Sequence, residues 1–493
     1  MNINKKNENN FEGEKSKDAL VASNSFIAKF FKFSNMNTTF KKEIIGGIST
    51  FLSMLYILSV EPQILAGETG ANSILGDEVK MNINGVFLAT ALMSFLASFI
   101  MGLSANVPIS LAPSMGVNAM FTFSVANHGG IGFEGALIAT FISGLFFCII
   151  SVTKLRKEIM KSMPKSLHLA IGVGIGFFVA YVGLSNIGWV DKGQGVPVAQ
   201  LGDLKGEYPA IILGTIAMFV AILLSFKKFF APVAVVMLIG FIIAIILANS
   251  IPNSDVIQKS FGMAKWDSSK WDYNALFYGF AFNISSTWKQ VGNSAIWTNP
   301  TMYISIFVFL ILTFFDATGT ITAVNVEISR ESGIETEIPH RALMVDGGAT
   351  IAASLMGVSN VGSFAESCVG ISQGARTGFA SIITSIGFLI SIAIFPIFQM
   401  MPSCITGAAT VFIGTVMIKS ITGIEWEKPE MGLAAFFSIL LMVTTYNISN
   451  GIAFTIFAYT VGSLATGKVK QIHPVMWVLN VVFILYFVAH AFL

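Results

Sequence analysis

The sequence predicts an all-α polytopic membrane protein of about fourteen spans, arranged as an inverted repeat. Three observations carry this. Hydrophobic residues make up 54% of the 493-residue chain and charged residues 11%, against roughly 25% charged in an ordinary soluble domain. So few charges cannot cover a soluble protein of this size. Apolar runs of roughly 17–25 residues follow one another, each long enough to cross a hydrocarbon core about 30 Å thick. Finally, two Gly/Ala-rich runs match each other across the chain with opposite orientation.

From the N-terminus, residues 1–42 read as a cytoplasmic tail, polar and mixed in charge, without a cleavable signal peptide. Phe26, Phe30, Phe31 and Phe33 lie there among Lys29, Lys32, Lys41 and Lys42, the pattern of an amphipathic segment on the membrane surface. Spans follow near 43–64, 83–103, 106–126, 132–153, 167–188, 208–226, 229–249, 301–325, 343–358, 361–376, 378–400, 403–420, 431–447 and 449–466. A further stretch, 473–492, either crosses or lies along the surface. Lys154, Arg156, Lys157, Lys161 and Lys165 follow the fourth span, and Lys227 and Lys228 the sixth. Both groups are cytoplasmic with the N-terminus inside, as the positive-inside rule asks. Residues 326–342, with Arg330 and Arg341, are then inside. Residues 250–300 are outside, where Trp266, Trp271, Trp288 and Trp297 suit interfacial anchoring.

Several function classes drop out. A net charge of +2 with no basic stripe argues against a nucleic-acid partner. Cys148, Cys368 and Cys404 lie in apolar surroundings without CxxC spacing, and the five histidines are scattered. No metal or other cofactor is expected, and no enzyme-like His/Asp constellation is present. Asp316-Ala317-Thr318-Gly319-Thr320 approaches the phosphorylated motif of P-type pumps, but Ala317 replaces the lysine and no soluble nucleotide domain follows. Asn283-Ile284-Ser285 is a glycosylation sequon by pattern only.

The repeat appears in the fifth and twelfth spans. One begins at Met163-Pro164-Lys165-Ser166 and ends at Ile187-Gly188-Trp189; the other begins at Met401-Pro402-Ser403-Cys404 and ends at Ile424-Glu425-Trp426. Their offset of seven spans is odd, so the halves are inverted, the architecture of secondary transporters with a site near the midplane. Broken spans agree. Pro108 and Pro113 interrupt the third span, predicting an extended first half and a helix starting near Pro113. The tenth span is short and opens with Gly362-Ser363-Phe364-Ala365-Glu366-Ser367.

Acids inside the spans are costly and mark pathways. Asp316 follows the apolar run from Ile304, Glu366 opens the tenth span, and Glu61 lies near the end of the first. The residues alone leave second roles open. Asp316 or Glu366 caps a helix start, Glu61 sits solvated or capping at the outer interface, and Asn118 is a packing hydrogen-bonder or a site residue. Arg376 closes the inner end of the tenth span.

At this point the chain resembles the xanthine/uracil permease superfamily, in its azaguanine-type branch of adenine/guanine/hypoxanthine permeases. The resemblance rests on five ordered blocks: Thr38 to Gly47, Ala112 to Ala119, Phe314 to Thr320, Glu366-Ser367 with Gly374 to Gly378, and Thr445 to Phe454. It implies seven-plus-seven spans with a core domain and a gate domain. The implied division is 43–165 and 301–400 for the core, 166–300 and 401–466 for the gate, and 467–493 as a C-terminal hydrophobic helix. It also implies import of purine nucleobases across the plasma membrane by proton symport, with a possible homodimer. Glu366 would hold the base and Asp316 carry the proton, with Thr318 and Thr320 orienting Asp316. Glu366 and Glu61 are further candidates for coupling. Pro113, Ser114 and Asn118 face Ser363, Phe364 and Ala365 across the pocket in this scheme. The family often has Asn at position 61, Gly at 114 and Pro at 443, so Glu61, Ser114 and Val443 are departures. An inorganic-anion carrier of the same architecture and an uncoupled nucleobase pore are the alternatives.

Overall fold

The structure, a computed structural model, describes residues 25–67, 70–153, 163–191, 200–202, 204, 208–227, 229, 231–251, 254–265, 271–334 and 339–492. Lys154, Arg156, Lys157, Lys161, Lys228 and Trp266 lie outside them, as does the start of the tail. Among the described residues, ten helical stretches are long and apolar enough to cross a bilayer, and Pro429–Thr444 is a shorter apolar helix. The chain is a multi-pass membrane protein.

A short helix α1 (Phe26–Phe30) precedes a first span in two pieces, α2 (Phe40–Met54) and α3 (Ile57–Ala66). Pro62 inside α3 withholds the N–H that the Leu58 carbonyl would accept. A hairpin, β1 (Asn72–Ser73) and β2 (Gly76–Lys80), leads to α4 (Ile83–Ala105). The third span is strand β3 (Leu111–Pro113), then α5 (Met115–Ala119), continued by a π-helical turn over Met120–Asn127. After α6 (Gly132–Val152) come α7 (Lys165–Ile187), a second small hairpin of β4 (Val190–Asp191) and β5 (Gln200–Leu201), α8 (Tyr208–Phe226) and α9 (Pro232–Ser250). Helices α10 (Asp255–Phe261), α11 (Tyr273–Lys289) and α12 (Ser294–Thr298) lead into the long α13 (Pro300–Ser332) and α14 (His340–Leu355). The tenth span is β6 (Val361–Ser363) and α15 (Ser367–Ser372). The chain ends with α16 (Gly378–Ser391), α17 (Phe395–Gln399), α18 (Ser403–Ile418), α19 (Pro429–Thr444), α20 (Ile448–Ala465) and α21 (Pro474–Phe492).

The matched fifth and twelfth spans prove to be packing partners. Both helices start after an extended proline, Pro164 (φ −56°, ψ 140°) and Pro402 (φ −63°, ψ 145°). A Cβ on Gly414 would sit 2.6 Å from the Gly176 carbonyl, and one on Gly407 2.8 Å from that of Gly183. One index rises by seven as the other falls by seven, so α7 and α18 run antiparallel with backbones touching. Helices α19, α20 and α8 join this pair, while α4 packs with α16, α3 and α11, and α6 with α13 and α14.

Two expectations change. Residues 250–300 are more than a connection, because α11 packs on α4. There Asn283 is buried, accepting from the Asn82 N–H at 2.7 Å and donating to its carbonyl at 3.0 Å, so the sequon is sealed inside the fold. The N-terminal phenylalanines also divide. Lys32, in the left-handed region at φ 57°, turns the chain back, and Phe31 and Phe33 bury against Phe379, with Phe33 against Phe40 at 4.9 Å between ring centres. Of the four described there, Phe26 and Phe30 stay exposed for a membrane surface.

Candidate functional site

The two broken spans meet. β3 and β6 pair antiparallel, Leu111 with Ser363, Ala112 with Gly362 and Pro113 with Val361. The ladder extends outward through the Ser114 N–H to the Asn360 carbonyl at 2.9 Å and the Phe364 N–H to the Ser110 carbonyl at 3.0 Å. Extended backbone at this depth must find partners inside the protein, because lipid offers none. The broken spans supply them for each other at Ser114 and Phe364, while Ser98 of α4 serves Leu111 and Asp346 of α14 takes the Ser363 N–H. Pro113 is tolerated because the pair has only two strands, and a residue that cannot donate costs least at an edge.

Carboxylates gather round this crossing. Asp316, midway along α13, accepts from Ser114 Oγ at 2.8 Å. Asp346, from α14, accepts from both the backbone N–H (2.8 Å) and the hydroxyl (2.6 Å) of Ser363 through Oδ2. Its Oδ1 is buried without a hydrogen-bond partner. A Cβ on Gly362 would lie 3.9 Å from Asp316 Oδ2 and from Asp346 Oδ1, so both acids border this glycine. Glu366, at the start of α15, accepts from the Tyr56 hydroxyl at 2.9 Å. It occupies the N-cap position without making a capping bond.

Access differs among these groups. Asp316 and Ala365 are exposed and Glu366 is half-buried, whereas Ser114, Ser363 and Phe364 are buried. An accessible stripe runs from Asp316 along α13 through Gly319, Thr322 and Val326. Helix α7 faces it, since a Cβ on Gly319 would come within 3.8 Å of His168 Nε2. The crossing therefore opens into a recess between α13 and α7.

The remaining expected residues fall elsewhere. Ser114 is the bonding partner of Asp316; Thr318 is buried with its hydroxyl unpartnered, and Thr320 makes no bond to the acid. Two residues along a helix point to opposite sides, which is why Thr318 cannot orient Asp316. Glu61 is fully buried, so the solvated interfacial role does not hold. It joins Asn118 and Ser359, both also fully buried; Asn118 Nδ2 donates to it, and Ser359 lies 3.2 Å from Oε1. Asn118 thus turns away from the recess. Sequence reasoning missed Asp346, Tyr56 and Ser359. Asp346 had a readable mark, being an acid within the apolar run 343–358, whereas Tyr56 and Ser359 had none.

Comparison with known proteins follows the same lines. The Permease family (Xan_ur_permease) matches residues 41–454. The guanine/hypoxanthine permease PbuG of Bacillus subtilis is 34% identical over 93% of this chain and 99% of its own. The adenine permease AdeQ of Escherichia coli is 28% identical over 93% and 95%. Among solved structures, the transmembrane domain of a cyanobacterial bicarbonate transporter, BicA, superposes with a TM-score of 0.53 at 15% identity, covering 86% of this chain and 96% of that one. At that identity the likeness speaks to fold alone, the seven-plus-seven inverted repeat.

Proposed function

Because the chain belongs to the xanthine/uracil permease family, a family of transporters rather than enzymes, we propose that it imports purine nucleobases across the plasma membrane by proton symport, with its N-terminus in the cytoplasm. The observation that carries this reading is the recess where Asp316 and Glu366 open beside the β3–β6 crossing. The purine permeases among its relatives supply the substrate class.

The chemistry fits. A purine presents ring N–H and exocyclic amino groups, and an ionised carboxylate is an acceptor only. The Tyr56 hydroxyl takes Oε1 of Glu366, leaving Oε2 for a ligand donor. Exposed Ala365 leaves space at the recess floor, with Phe364 beneath it. Asp316, bonded through Oδ2 alone, retains Oδ1 for a proton or for the base. A buried negative charge carried across the membrane is costly, so filling the site with base and proton together lets the loaded form cross. In this scheme α7, α18 and their partners form the gate against which the core moves.

Purified protein in liposomes tests this. Labelled hypoxanthine should enter saturably, faster with an acidic exterior, and uptake should collapse with an uncoupler. Unlabelled guanine and adenine should compete, and sulfate and bicarbonate should not. Glu366→Gln and Asp316→Asn should each lower uptake by about 10- to 100-fold, the worth of one or two hydrogen bonds to a charged group. Normal uptake in both variants, or competition by sulfate, would overturn the reading.

A further inference from the structure

We infer that Glu61, Asn118 and Ser359 form a second, separate proton-binding site that holds one proton in this conformation. The argument is a count of hydrogens. Three polar contacts close a ring: Asn118 Nδ2 to Glu61 Oε2, Ser359 Oγ to Glu61 Oε1, and Ser359 Oγ to Asn118 Oδ1. An amide nitrogen supplies the first. A serine hydroxyl carries one hydrogen and so serves only one of the other two. With an ionised Glu61, two oxygens are left facing each other with nothing between them. One proton on Glu61 closes the ring: the amide donates to Oε2, Oε1–H donates to Ser359, and Ser359 donates to Asn118 Oδ1.

The count survives the ambiguity of amide orientation. If the Asn118 amide is turned over, its nitrogen donates to Ser359, Ser359 donates to Glu61, and the amide oxygen meets the other carboxyl oxygen. That last contact again needs a proton on Glu61. A metal cation is the poorer alternative, because a donor N–H already points into the ring in either orientation.

Surroundings agree with the count. All three residues are fully buried. Among the described residues, the elements packed most closely on α3 are α4, α5, the π-helical turn, β3, α17 and α18. Their sequences contain no Asp, Glu, Lys, Arg or His, and Cys404 is the one titratable side chain they carry. The nearest acids along the strand pair, Asp316, Asp346 and Glu366, would repel a charge on Glu61 rather than balance it. A carboxylate sealed in apolar surroundings without a counter-charge is neutralised. The ring also touches the transport recess mechanically. Ser359 precedes Asn360, whose carbonyl accepts from the Ser114 N–H, and the Ser114 hydroxyl holds Asp316. Loss of the proton would set two oxygens against each other at the root of β6 and disturb that chain of contacts.

Infrared spectroscopy of the full-length protein in detergent, without substrate, tests the site apart from the transport reading. At neutral pH, wild type should show a protonated-carboxyl stretch that shifts in D2O. Glu61→Gln should lose it, because the glutamine amide closes the ring without an added proton. Should Glu61→Gln fail to fold, Ser359→Ala in protein carrying 13C-carboxyl glutamate should shift the same band. Superimposable spectra in this region for wild type and the variant would overturn the inference. So would sodium-dependent thermal stabilisation of wild type that Glu61→Gln lacks, which would make the occupant a metal cation. Failure of hypoxanthine uptake in liposomes would sink the proposed substrate while leaving this result standing.

Discussion

Tyr56 holds Glu366 from a distance of 310 positions in sequence, and its ring is almost wholly enclosed. Tyr56→Phe keeps the ring in the core and removes only the hydroxyl. It should raise the KM for base uptake by about 10-fold, the cost of one hydrogen bond to a charged group, and leave the melting temperature nearly unchanged. Ser114→Gly removes the hydroxyl that fixes Asp316. It should shift KM or the pH dependence of uptake, read in the same liposomes, while a Ser114→Thr control retains the bond. These contacts mark the limit of sequence reading at this scale. Asp316 and Glu366 stand out because a charge within an apolar run is expensive wherever it folds. Tyr56 and Ser359 do not, since a tyrosine or serine in a span is ordinary and only the pairing of distant helices gives it a task.

Among elements, the broken spans were legible where proline breaks them. Pro108 and Pro113 cannot donate, so an extended first half followed from the residues themselves. The interruption at Leu55–Tyr56 between α2 and α3 has neither proline nor glycine at the break, and both residues keep right-handed helical dihedrals. Helix α11 was unreadable for another reason: at 17 residues with Asn274, Asn283 and Ser285 along it, it looks neither like a span nor like a soluble helix. Contact between α7 and α18 depends on glycines at the crossing. Gly407→Val should force the pair apart at a cost of about 1–3 kcal/mol, seen as a lower melting temperature and less monodisperse protein. Gly172→Ala is the matched control, because nothing lies within 4 Å of the added methyl.

For the whole molecule, the recess opens along α13 toward its C-terminal end, the cytoplasmic end in the proposed orientation. Aromatic rings cluster toward the other end. Tyr446 packs tilted or edge-on against Phe123 at 5.0 Å, Phe178 at 5.2 Å and Tyr181 at 5.9 Å between centres. Tyr446 does so in the left-handed region, at φ 49°, a conformation that costs a non-glycine residue about 1–2 kcal/mol. In the proposed orientation this ring cluster would act as a plug on the outer path of a carrier open to the inside. Tyr446→Ala, made with Cys148→Ser, should let an impermeant thiol reagent added outside intact cells label Cys368, beside Glu366, faster than in the parent. Equal labelling rates would show that the plug lies elsewhere. The strand pair at the centre bears on how such a chain is made. The Ser114 N–H bonds across to the Asn360 carbonyl, so on the ribosome the earlier strand waits for its mate during synthesis of the intervening helices, on the order of tens of seconds at ordinary elongation rates. Until then the amides that face β6 lack their mates, while Ser98 of the already finished α4 can hold both the N–H and the carbonyl of Leu111.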